Sequence, residues 1–146
     1  MEEEILFPIT DVPEVEVQET EYDIDYKRSV AWDIEKGDFI IDGANKIVQC
    51  EGQEAFRIWC YKMAMTERYS CFAYGDEIGT EMEKATEEEE QEAVELEIER
   101  AITEAITVNP RTEYVRDFSF IWNADEVICT FKVKGIEQDE EFEVTI

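Results

Sequence analysis

Histidine is absent from the 146 residues. That removes Ser-His and Cys-His nucleophile pairs and the usual proton shuttle near neutral pH. Basic side chains are scarce, 13 against 39 acidic ones, for a net charge of −26. A surface of that sign repels phosphate backbones and anionic lipid, so neither nucleic acid nor a membrane is an expected partner. Cys50, Cys60, Cys71 and Cys129 never approach CxxC spacing, which leaves no zinc pattern. Three of them lie in apolar runs (IVQC, IWCY, VICTF), where a thiol behaves as a small hydrophobe, and reduced thiols are expected. No apolar run reaches the ~20 residues that span a bilayer. The start, MEEEILFPI, lacks the basic opening and long apolar core of a signal peptide, so folding in the cytoplasm is the expectation. Phosphate-cradling GxxxxGK[ST] and GxGxxG loops, the GxSxG elbow, HExxH and the EF-hand pattern are all missing. Carboxylate pairs are too abundant here to single out a glycosidase-like site. No enzymatic activity, cofactor or metal site is expected.

The acidity that remains is uneven. Residues 1–25 hold ten acids and no base, and residues 81–99 hold ten acids and one base; together they carry −19 of the −26. The other 102 residues have an ordinary balance, and the length suits one domain. Residues 1–21, with two prolines and no helical stripe, read as an extended acidic arm with a small apolar plug from Ile5 to Ile9. A folded domain is expected over residues 22–146, starting near Tyr22.

Within that domain, β-rich runs flank Asp42-Gly43-Ala44-Asn45, a hairpin signal. Residues 53–67 (QEAFRIWCYKMAMTE) are apolar almost all round and predict a central, largely buried helix. RYSCFAYGDEIG reads as a short strand, Tyr69 and Cys71 alternating with Ser70 and Phe72, closed by Gly75 and Gly79. Thr86-Glu87-Glu88-Glu89 has the form of a capping box. Behind it, Val94, Ile98, Ala101, Ile102 and Ala105 form one apolar helical stripe, with Glu92, Glu95, Glu99 and Thr103 opposite. Pro110 stops that helix at Asn109, because it lacks an amide hydrogen and restricts the residue before it. Three strands follow. Phe118, Phe120 and Trp122 alternate with Asp117, Ser119 and Ile121, then come Val127, Cys129, Phe131 and Val133, then Phe142, Val144 and Ile146. The expected architecture is α+β: an antiparallel sheet with a C-terminal three-stranded meander, packed against two helices.

Two places suggest couplings. Pro110 fixes the direction in which Arg111 leaves the corner, and a guanidinium is a planar fork of donors suited to a carboxylate or a helix end. The alternative is a pair with this chain's own acids. The last strand, Glu141-Phe142-Glu143-Val144-Thr145-Ile146, invites strand addition if it lies at a sheet edge; an edge protected by its glutamates is the alternative.

The run GQEAFRIWCYKMAMTERYSCFAYGDEIGTEME, the acidic helix, Asn109-Pro110-Arg111, the DFSF strand and the FKVKG strand follow in an order that resembles one tail family. It is similar to the baseplate wedge protein of contractile phage tails, the sheath initiator, in its Gram-positive prophage and R-type bacteriocin branch. The matching features are Thr66-Glu67-Arg68-Tyr69, Tyr74-Gly75 with Gly79 and Glu81, and Asn109-Pro110-Arg111 leading into Val115 and Phe118, across roughly residues 22–146. Cys71 and Ala73 depart from the tyrosine and serine usual around YSCFAYG, and the arm 1–21 has no counterpart. The resemblance implies a non-enzymatic structural protein, present in sixfold-symmetric copies in the baseplate. Its implied partners are other wedge subunits, the tail sheath protein, and the tail tube or hub. It implies that the family's Glu-Pro-Arg motif, here Asn109-Pro110-Arg111, meets the wedge helical bundle, and that strand exchange starts the sheath. The rival reading is an acidic decoy occupying a basic or nucleic-acid-binding surface.

Overall fold

The computed structural model describes residues 28–146; the expected acidic arm 1–21 and the expected domain start at Tyr22 lie outside them. The chain first builds a small two-layer entry. Strands β1 (Ser29–Val30) and β2 (Trp32–Asp33) are followed by β3 (Asp38–Phe39) and β4 (Gln49–Cys50). β1 pairs with β4 and β2 with β3, both antiparallel. Ala31 ties the two pairs together, accepting from Ile40 N at 3.1 Å and donating to Val48 O at 2.9 Å. The turn expected at residues 42–45 is present. Asp42 Oδ1 accepts from Ala44 N and Lys46 N, and Asn45 takes the left-handed φ of 60° that asparagine tolerates. The hairpin is short, however. Ile41 pairs with Ile47 beside the turn, while Gln49–Cys50 turns to β1.

Helix α1 (Gly52–Met65) buries Ala55, Phe56, Ile58, Cys60, Met63 and Ala64, as its sequence predicts. The reason for its all-round apolarity is visible. Ala55 and Ile58 pack with Ala31, Cys50, Trp32 and Val48 of the entry layer. Phe56, Cys60 and Ala64 face the main core on the other side.

The segment after α1 overturns one expectation. Residues 69–77 form successive turns, not a strand, and all are exposed. The Tyr69–Phe72 alternation has no neighbouring strand to reward it, and Tyr69 itself sits at φ 66°, incompatible with a pleat. A four-residue helix α2 (Met82–Ala85), unforeseen in the sequence, comes next. Its presence also displaces the capping box. Thr86 closes α2, donating its hydroxyl to Glu83 O at 2.8 Å. Helix α3 (Gln91–Thr107) starts five residues later with Glu90 at its cap and no side-chain cap bond. Its apolar stripe is buried as expected, with Ile106 added. Glu95, expected on the outer face, instead accepts from Trp122 Nε1 at 2.8 Å.

Strands β5 (Thr112–Asn123), β6 (Glu126–Gly135) and β7 (Phe142–Thr145) form the expected antiparallel meander, in the order β5-β6-β7. β5 carries a bulge between Arg116 and Ser119, with Asp117 at φ 57°. The extra residue preserves the inward set, since Val115 before it and Phe118, Phe120 and Trp122 after it all pack on the core. Phe131, Val133 and Ile102 are fully buried where this face meets α3.

Candidate functional site

The corner at residues 109–111 is built by local hydrogen bonds. Past the end of α3, Asn109 Oδ1 accepts from Arg111 N at 3.0 Å, and Asn109 O accepts from Thr112 N at 2.9 Å. Thr112 Oγ1 donates to Ile106 O at 2.8 Å, satisfying a helix-end carbonyl. Arg111 O accepts from Ile136 N at 2.8 Å, which pins the corner to the end of β6. The side chain of Asn109 is thus used by the turn. Arg111 is half-buried and lines a pocket of about 220 Å³ with Arg28, Ser29, Ala55, Phe56, Trp59 and Asn109. Phe56 and Trp59 lie nearly parallel there, with centroids 6.1 Å apart. Arg28 pairs with Glu51 at 2.6 Å. The pocket therefore brings guanidinium groups and an aromatic wall together, a chemistry suited to a carboxylate or to the carbonyls ending a helix.

The second predicted segment, Glu141 to Ile146, forms the edge of the sheet. Ile146 and Cys129 exchange both backbone hydrogen bonds, each 2.9 Å. In an antiparallel ladder such pairs alternate with pairs that share none. The register Thr130↔Thr145, Phe131↔Val144, Lys132↔Glu143, Val133↔Phe142 therefore turns the amides and carbonyls of Glu143 and Thr145 away from β6. Among the described residues no strand lies beyond β7. Val144 is buried, and Phe142 and Ile146 pack against the core.

Glu141 has a different job. It accepts from Arg116 at 2.7 Å and Tyr114 OH at 3.1 Å, and Lys132 Nζ stands 3.3 Å away. The Arg116 hydrogen bond, ahead of every other influence, holds its carboxyl below the usual range. Glu141 thus braces the outer face of the sheet at the root of β7. The structure links the two segments through Phe56, which lines the Arg111 pocket and meets Phe142 edge-on at 5.7 Å.

Of the cysteines, Cys50, Cys60 and Cys129 are buried and Cys71 is exposed. Burial pushes the Cys129 thiol up to about 12 and that of Cys60 further. Among the described residues no cluster of three or more Cys, Asp or Glu is placed to hold a metal, and no helix is long and apolar enough to cross a membrane. Sequence reasoning passed over one feature. The loop after α1 exposes Tyr69, Phe72 and Tyr74 together. The signal available was YSCFAYG, seven residues without charge in a chain where 36% are charged.

Residues 28–138 match the family model of the contractile injection system sheath initiator. The chain belongs to the sheath-initiator family. It is also 30% identical over 139 residues to the phage-like element PBSX protein XkdS of Bacillus subtilis (strain 168), covering 92% of this chain and 94% of that relative. A sheath-initiator chain is a structural component of a contractile tail. It belongs in the tail particle and acts through contacts with sheath and baseplate components. The family match includes the corner at residues 109–111 and ends before β7.

Proposed function

We propose that this sheath initiator joins the wedge ring of the baseplate to the first ring of sheath, and starts the sheath by strand exchange at β7. It assembles in the host cytoplasm, without enzymatic activity, as sixfold-symmetric copies around the tail tube or hub. The observation that carries the reading is the outward-facing backbone of Glu143 and Thr145 on an edge strand whose other side is anchored by Val144 in the core. A sheath arm adding there would gain ladder hydrogen bonds without disturbing the core.

Asn109, Pro110 and Arg111 form the coupling to the wedge subunits. What supports this is the half-buried position of Arg111 at a pocket that also contains Arg28, on a chain otherwise dominated by acids. A helix end or carboxylate from a wedge subunit would meet two guanidinium groups beside an aromatic wall there. Asn109 has no carboxylate for a basic partner, so the recognition rests on the arginine.

The test is assembly of tails supplied with Arg111→Ala. The substitution leaves the turn bonds of Asn109 and Thr112 in place, and a cooperative melt of the free Arg111→Ala chain establishes that it folds. It should be missing from purified baseplates. Normal incorporation of a correctly folded Arg111→Ala chain would remove the corner from this role.

A further inference from the structure

The loop between α1 and α2 is held shut at its base and apolar at its tip. At the base, Arg68 N donates to Thr80 O and Thr80 N to Thr66 O, both 2.8 Å. Thr80 is 1% exposed and its hydroxyl donates to Ala64 O at 3.1 Å. Arg68 reaches Glu104 of α3 at 3.1 Å and Gly79 O at 3.2 Å. Glu67 accepts from Met82 N at 3.1 Å, at the start of α2. Closed loops of this length with adjacent ends are compact units and often functional. Its tip contradicts ordinary loop chemistry. Phe72 is 109% exposed, Tyr69 67% and Tyr74 52%, and no residue from 69 to 75 is charged.

We infer that the tip around Phe72 is a docking plug that enters an apolar cleft, rimmed by lysine or arginine, on another protein of the tail. This rests on the assembly role proposed above and adds a third contact to it. The apolar rings require a dry cleft, since aromatic anchors bind by filling pockets. The sign of the rim follows from Asp76 and Glu77, which flank the rings and are exposed. A second copy of this chain is the wrong partner. Its own apolar groove, of about 260 Å³ and lined by Met65, Met82, Ile98 and Ile146 among others, contains Thr86 and so borders the acidic run of residues 81–99. Acid would meet acid. The closed base means that little loop entropy is lost on docking.

Cys71 allows the test without altering the loop, because it adjoins Phe72 and the other three thiols are buried. A maleimide should label Cys71 readily in the free chain and poorly in purified tails. In parallel, Phe72→Ala should melt with the wild type. In competition with wild type for incorporation it should be disfavoured about 30-fold, the equivalent of a 2 kcal/mol anchor. Undiminished labelling in tails, or equal incorporation of Phe72→Ala, overturns the plug. Self-association of the free chain that depends on Phe72 assigns the tip to a second copy and overturns the stated partner. Absence of the wild-type chain from tails would strike the assembly role itself, and the plug with it.

Discussion

The edge-strand reading makes a demanding claim about two adjacent residues. Proline at Val144 and proline at Thr145 should have opposite consequences. Val144 N faces β6, because its pairing with Phe131 lies two residues from the bonded Ile146–Cys129 pair and is itself a bonded position of the ladder. Val144→Pro removes that bond, leaves a carbonyl unsatisfied beside the fully buried Phe131, and replaces a side chain that is 3% exposed. An unsatisfied buried carbonyl costs about 1–3 kcal/mol, and proline strain and altered packing add to it, for a total near 4 kcal/mol. Thr145 N faces outward. Thr145→Pro loses only the exposed hydroxyl contact to Thr130 at 3.2 Å, and some strain from the fixed φ, about 1 kcal/mol in all. At roughly 3–4 °C per kcal/mol for a chain of this size, the melting temperatures should fall by about 14 °C and about 4 °C.

The functional outcome should run the other way. The Thr145→Pro chain folds and enters baseplates, but it cannot give the incoming strand its outward donor, and its ring protrudes where that strand must lie. Tails supplied with it should show bare tubes by electron microscopy. Thr145→Val, which loses the hydroxyl but keeps the amide, should build sheath normally and so isolates the backbone donor. Sheath of full length on Thr145→Pro tails would refute strand addition at β7. Equal melting temperatures for the two proline variants would refute the register from which the outward amide was deduced.

Gly79→Ala tests the loop base. Gly79 has φ +94°, and an added Cβ would lie 2.5 Å from the Thr66 carbonyl oxygen. Strain of about 1–3 kcal/mol from the backbone alone, with that clash on top, should lower the melting temperature by about 10 °C; an unchanged urea midpoint would deny the closed base. The outer face of the sheet should be acid-sensitive through Glu141. Its folded pKa is lowered by Arg116, so its stabilisation is fully present above the unfolded value of about 4.3 and fades as pH falls through the lower folded value. Below about pH 4.3 the wild type should therefore lose stability with falling pH more steeply than Glu141→Gln, and parallel curves would refute the contact.

The meander and the two long helices were legible in the sequence because each obeys its period against a single core. Val94, Ile98, Ala101, Ile102 and Ala105 could face only one way, and Phe142, Val144 and Ile146 needed a sheet to cover them. Thr86 and Tyr69 misled for a common reason. Both sit in local patterns whose outcome is set by residues elsewhere. Thr86 became a helix end because Glu67, fifteen residues before Met82, accepts from that residue's amide and starts α2. The alternation at Tyr69 carried no strand because Arg68 and Thr80 close the chain into a loop first. At the corner, proline announced the turn. The use of Asn109 Oδ1 within it, and the aromatic wall facing Arg111, depend on α1 packing that no local pattern records.

The three proposed contacts share a frame, and this bears on how force passes through the molecule. α1, 14 residues and so about 21 Å long, lines the Arg111 pocket with Phe56 and Trp59 and carries the aromatic loop at its far end. Phe56 also braces Phe142 at the root of β7. α3 repeats the arrangement, since Glu104 holds Arg68 at the loop base and the Asn109-Pro110-Arg111 corner follows its last turn. α1 is packed on opposite sides by two separate clusters, one with the entry strands and one with the sheet. A helix clamped between close-packed layers cannot slide by a fraction of a residue without opening voids on both sides. Pull on the sheath strand at β7 should therefore reach the wedge contact as displacement of one rigid body and not be absorbed inside the chain. That stiffness is what the proposed role, a connector between a fixed ring and a contracting one, requires.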